Sequence, residues 1–119
     1  MTEIEPSEPP RDISVDEETR EIYDELTKDD SSPFQDAELN DIFVFAAAYG
    51  YNQGLRTGLD TRRALANRDA LSDEQEWILK SIALNETEDE DILRDGRQIY
   101  TIVEEYAKGG IKQLQRQLE

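Results

Sequence analysis

The residues from Ile42 to Tyr51, written Ile-Phe-Val-Phe-Ala-Ala-Ala-Tyr-Gly-Tyr, form the most hydrophobic stretch of a chain that is otherwise strongly polar. Leaving such a run in water forfeits the apolar burial that drives folding, so whatever this chain folds into is built around it. The β-branched and aromatic first half is compatible with a strand. Three consecutive alanines, the leading Ala37, Glu38 and Leu39, and a length beyond that of a typical buried strand favour a helix from Asp36 to about Asn52. A helix that is apolar nearly all round needs neighbours on several sides, which makes this one the centre of a bundle. Gly50, Asn52 and Gly54 are expected to mark its end.

The neighbours are lean. Only 36% of the 119 residues are hydrophobic and 35% are charged, so the chain can build one core and no more. Val15, Thr19, Ile22, Tyr23 and Leu26 recur at helical spacing and predict a first amphipathic helix, N-capped by Ser14 and ended by Asp29 to Pro33. Ahead of it, residues 1–14 offer Ile4 and Ile13 among Thr, Glu, Pro, Ser and Asp, and read as a disordered acidic tail. Gly54 and Gly58 imply a loop after the central helix, with room for a short helix across Thr61 to Asn67. Ser72 and Gln75 form a capping-box pattern at the head of a third helix, whose inner face reads as Trp77, Ile78, Ser81, Ile82 and Leu84. Asn85 to Thr87 break it. Thr87 and Glu90 repeat the pattern before a fourth helix with Ile92, Ile99, Ile102, Val103 and Tyr106 on one face, closed by Lys108, Gly109 and Gly110. Ile111, Leu114 and Leu118 could anchor a last short helix. The expected fold is all-α: a compact bundle of four to five helices around the central hydrophobic helix, forming a single domain over residues 15–119.

The formal charge is -16, from 29 acids against 13 bases. At ordinary ionic strength this much like charge opposes compaction, whereas molar salt shortens the Debye length to roughly 3 Å and removes most of the self-repulsion. Nine Arg stand against four Lys, and the acids run from Glu3 to Glu38 and again from Asp73 to Asp95, too dispersed for an acidic tail alone. The composition points to a halophilic source. No N-terminal apolar stretch resembles a signal sequence and no run approaches a membrane span, so a cytoplasmic location without membrane contact is expected.

With no His and no Cys, the commonest general base, the commonest metal ligand and the strongest nucleophile are missing, and the chain reads as a binding protein without catalytic machinery or cofactor. Glu88, Asp89, Glu90 and Asp91 lack the alternating oxygen ligands and central glycine of a calcium loop and read as a solvated helix start. Gly50, Gly54 and Gly58 are spaced by four but lack the Lys-Ser/Thr ending of a phosphate loop; helix termination and turns explain them.

Between Leu39 and Leu71 four Arg face three Asp, in contrast to the acidic excess on either side. Arg56, Arg62, Arg63 and Arg68 therefore mark the candidate partner-binding corner, together with the flanking aromatics Tyr49 and Tyr51. Four guanidinium groups there could meet a partner's carboxylates or phosphates; equally they could pair with the protein's own acids, and internal pairing is the favoured reading. The tyrosines could be stacking platforms, but beside Gly50 packing is the commoner use. Net charge and salt both work against strong direct DNA binding.

The stretch Asp41-Ile42-Phe43-Val44-Phe45-Ala46-Ala47-Ala48-Tyr49-Gly50-Tyr51, followed by Asn52, Gly54, Arg56 and Leu59, resembles the signature of a small Dnd-system-associated protein family. In that family an alanine-rich helix runs into a Gly-aromatic corner and a basic loop. The resemblance covers roughly residues 34–60, and its motif is compositional rather than catalytic. It implies a gene neighbourhood of DNA phosphorothioation, in which sulfur replaces a non-bridging phosphate oxygen as a self-mark. It further implies an accessory or subunit of a phosphorothioation-dependent restriction or antiviral defence system, of the halophilic archaeal type, whose partners are larger protein subunits of the complex. A second reading from the charge is an acidic DNA mimic or regulator occupying the nucleic-acid site of its target. Homo-oligomerisation stays open.

Overall fold

The structure, a computed structural model, describes residues 7–118. In chain order it comprises strand β1 (Asp12–Val15), helices α1 (Glu17–Lys28) and α2 (Leu39–Gln53), strand β2 (Arg63–Asn67), and helices α3 (Asp73–Thr87) and α4 (Gly96–Leu118). Short 3-10 turns at Arg68–Ala70 and Glu90–Arg94 lead into the last two helices. The fold is thus mostly helical with a small antiparallel sheet, which corrects the all-α expectation.

The two strands are where sequence periodicity is weakest. Ile13 and Val15 alternate with Asp12 and Ser14, and the apolar pair turns inward to 0% and 3% exposure. Two apolar residues in four are too few to announce a strand, and the partner lies some fifty residues downstream. In the pairing, Ile13 faces Ala66 and Ser14 faces Ala64, so Leu65 is an extra residue on β2 and is buried at this bulge. The short helix expected across Thr61 to Asn67 is therefore replaced by β2. The expected disordered tail is also revised: from Ser7 the chain is held, its amide donating to Arg94 O and its carbonyl accepting from the Gly96 amide. Residues 1–6 of that tail lie outside the described residues.

Because Val15 is used by the sheet, α1 starts later than the apolar spacing suggests, with Asp16 as N-cap in place of Ser14. Its buried face, Thr19, Ile22, Tyr23 and Leu26, is the expected one. Helix α2 carries the hydrophobic run, with Ile42, Phe43, Ala46 and Ala47 fully buried. Gly54 ends it in the left-handed conformation at φ 69°, a region that costs glycine little. Gly50 does not end it.

The reason lies in α4, which continues for 23 residues straight through the expected stop at Lys108, Gly109 and Gly110. The predicted last short helix, Ile111 onward, is its continuation. Helices α2 and α4 run antiparallel, with Gly50 against the Tyr106 backbone and Gly110 against Ala46. A methyl group at Gly50 would overlap the Tyr106 carbonyl, one at Gly110 the Ala46 carbonyl, and one at Gly109 the Leu55 carbonyl. Each mid-helix glycine costs about 1 kcal/mol of helix propensity. Here the cost is offset because the missing side chains let two helix backbones touch, sealing the core between them.

Helix α3 begins as the sequence requires, with both halves of the Ser72–Gln75 capping box formed. Its buried face is rotated from the expected one. Leu79, Ile82 and Ala83 point inward, while Trp77 is 60% and Ile78 43% exposed.

Candidate functional site

The six residues of the predicted corner do not form one surface. Tyr49 stacks on Phe45 at 6.4 Å between ring centroids, and Phe45 meets the edge of Phe34, so this aromatic row closes the connection between α1 and α2. Tyr51 turns the other way and packs edge-on against Tyr106 at 5.3 Å. Arg56 joins it there, its guanidinium 6.0 Å from the Tyr106 ring and its Nε donating to Glu105 at 2.6 Å. The Tyr106 hydroxyl in turn donates to Glu86, tying α4 to the end of α3. Tyr51 and Arg56 are thus brought together, and Tyr49 is not.

The other three arginines leave on separate errands. Arg62 donates to Glu104 at 2.5 Å, Arg63 pairs with Glu17 at 2.9 Å, and Arg68 donates to the Pro10 carbonyl at 3.0 Å and lies 3.6 Å from Glu76. All four guanidinium groups of the corner are matched to the protein's own carboxylates. A cation already paired offers a partner little further attraction, since binding must break the first contact.

Beside them lies a buried polar junction that joins four parts of the chain. Lys108, 5% exposed on α4, donates to Asp16 at 3.0 Å and to the Gly58 carbonyl at 2.9 Å. Asp16, 2% exposed, also accepts from the amides of Glu18 and Asp60 and from the Thr61 hydroxyl. Burial pushes the Asp16 carboxyl up, but the Lys108 ammonium and these donors together hold it well below the usual carboxylate range. For Lys108, burial works against the charged form and the Asp16 carboxylate overcomes it, leaving the ammonium above its ordinary value. Glu104, a turn earlier on α4, is raised by burial despite the Ser14 amide and Arg62. Every hydrogen-bonding group here is engaged in positioning the first strand, the Gly58 loop and α4, which makes it a structural clasp.

The acids from Glu88 to Asp91 are likewise used locally. Glu88 ends α3 at φ 54° and the Asp89 carboxylate accepts from the Asp91 amide. Among the described residues no group of three or more acidic side chains is arranged to hold a metal ion.

What sequence reading missed is the outer face of α3. Trp77, the only tryptophan in the chain, and Ile78 lie beside Tyr51 and Ile82 along a shallow groove of about 510 Å³. Lys80 sits 4.9 Å over the Trp77 ring, and Asp73 and Glu74 edge the groove. Helical spacing alone could not choose this arrangement, because α3 has apolar residues on both sides. The one available signal was the placement of a single bulky Trp one turn inside a helix whose first turn is entirely polar.

No described helix is long and apolar enough to cross a membrane. No curated protein and no solved structure matches the chain. A family model does, that of DNA sulphur modification system-associated protein 4, over residues 12–119. The match starts at β1 and takes in every helix, far beyond the segment that carries the sequence resemblance, and by it the chain belongs to the DNA sulphur modification system-associated protein 4 family.

Proposed function

We propose that this protein is a non-catalytic accessory of a DNA sulphur modification system and acts by docking a larger protein subunit of that system on the outer face of α3. The observation that carries the reading is Trp77, 60% exposed next to Ile78, 43% exposed, along one groove. Large apolar side chains left in water are the usual centres of protein interfaces, and tryptophan is the residue most enriched among those that dominate binding. The acidic edge formed by Asp73 and Glu74 favours a partner segment that is apolar in the middle and basic at its margin. Lack of His and Cys supports a role without chemistry of its own. The acidic surface suits work in a concentrated-salt cytoplasm, alongside phosphorothioation-dependent restriction or antiviral enzymes.

Trp77 is the only tryptophan of this chain, so a change in emission beyond that of the subunit alone reports docking. Mixing the protein with each subunit encoded beside it, in molar salt, is expected to shift the Trp77 emission to the blue for one of them. Trp77→Ser with Ile78→Ser is expected to abolish co-elution with that subunit, while Arg63→Ser leaves it intact. Co-elution unchanged in the double variant would defeat the α3 face as the interface. Displacement of the protein by DNA from the same subunit would favour the DNA-mimic reading, for which the charge of -16 speaks.

A further inference from the structure

A cleft of about 460 Å³ opens where the segment before β1 crosses the first turns of α4. Three arginines line it from three separate parts of the chain: Arg11 before β1, Arg62 before β2, and Arg97 in the first turn of α4. Arg62 is committed to Glu104 on the floor. Arg11 and Arg97 are exposed, and among the described residues neither forms an ion pair. In a chain with 29 acids and 13 bases, two guanidinium groups that line one cleft with no ion pair among the described residues stand out.

The amides at the start of α4 do not compete for a ligand, because Ser7 accepts from Gly96 and Arg97, and Asp95 accepts from Gln98. Any anion must be held by side chains. The floor carboxylate of Glu104 does not repel it strongly, since its two oxygens face the Arg62 guanidinium and the Ser14 amide. Glu8, at the rim, is the remaining acid of the lining. Planar guanidinium groups approaching from different directions match the oxygens of a phosphoryl group better than a single carboxylate.

We propose that Arg11 and Arg97, across the cleft floored by the Arg62–Glu104 pair, bind the phosphate groups of a small ligand of nucleotide size. The volume is that of an ordinary small-molecule site. A nucleic-acid strand is the weaker fit, because its further phosphates would approach a chain of net charge -16. The proposal is independent of docking on α3.

The test is calorimetric titration of the full chain with inorganic pyrophosphate, with ADP and with a single-stranded oligonucleotide. It is run at the lowest salt that keeps the native helical circular dichroism signal, because screening weakens phosphate contacts. Pyrophosphate and ADP are expected to bind. The Arg11→Gln, Arg97→Gln double variant, whose changes lie on the surface, is expected to lose about tenfold or more in affinity for both. Arg116→Gln, remote from the cleft on the last turn of α4, is expected to match the parent. Absence of binding by both small ligands, or equal affinity in the double variant, overturns the proposal. An oligonucleotide that binds more tightly than ADP overturns the small-ligand assignment.

Discussion

Helix α4 is buried on two faces that are stabilised in opposite ways. Towards α2 it presents Gly110, Ala107 and the Tyr106 backbone, and contact there is a matter of shape alone: two backbones meet with no side chain between them. On another face it presents Lys108 and Glu104, buried charges held by Asp16, Gly58, Ser14 and Arg62. The seam tolerates no added atom, and the clasp tolerates no lost partner. The lesson is that a lean acidic chain can complete a core either by removing side chains or by satisfying charges inside it, and this helix does both within about two turns.

The largest effect is expected at the seam. Gly50→Leu or Gly110→Leu drives a branched side chain into a backbone carbonyl that cannot move without separating the helices. A loss of about 4 kcal/mol or more is expected, a large part of the total stability of a domain of this size. Thermal melting followed by far-UV circular dichroism would show it; a native melt would mean that α2 and α4 are not in backbone contact.

Lys108→Met should come next, at about 3 kcal/mol, because it leaves the Asp16 carboxylate buried without its cation. Adding Asp16→Asn should recover part of that loss, and a double-mutant cycle in urea measures the coupling. If the two changes prove additive, the clasp is not a unit.

The pH dependence follows from the same pair. Asp16 is depressed in the folded state, so its contribution is present above the unfolded carboxylate value near 3.8 and is lost as pH falls below it. Glu104 is raised, so its protonation on folding works in the opposite direction over the acid range. Lys108 is raised, so its contribution is present below the unfolded value of 10.5 and is lost as pH climbs through the folded one. Stability should therefore fall at both extremes; the Tyr23 and Tyr100 hydroxyls, both raised by burial, add to the alkaline fall, so Asp16→Asn with Lys108→Met should make that limb flatter without removing it. An unflattened limb would place the alkaline transition elsewhere.

The smallest expected effect is a gain. The Tyr23 hydroxyl is fully buried and, among the described residues, has no hydrogen-bond partner. Tyr23→Phe removes that burden while keeping the ring in the core, and should raise stability by about 1 kcal/mol. A loss of similar size would show that the hydroxyl is bonded to water in solution.

Much of the helical part of this fold was legible in the residues. The Ile42 run had to be buried, the Thr19, Ile22, Tyr23 and Leu26 stripe marked its own face, and Ser72 with Gln75 named the start of α3 to the residue. These are local signals, written within one or two turns. The corner arginines were legible as a group with internal pairing favoured, but their separation onto Glu105, Glu104, Glu17 and Glu76 was not, since it depends on which distant acids arrive.

By itself, the order of residues determined that this chain is acidic, without His or Cys, and gathered around one apolar helix. Tertiary structure alone decided that Gly109 and Gly110 continue a helix that local rules would end there, that Ile13 and Val15 pair with a strand fifty residues away, and that Trp77 faces outward. The physical reason is common to all three. A glycine, a short alternation or an apolar residue on a two-sided helix carries little local preference, so its state is set by whichever neighbour excludes the most water.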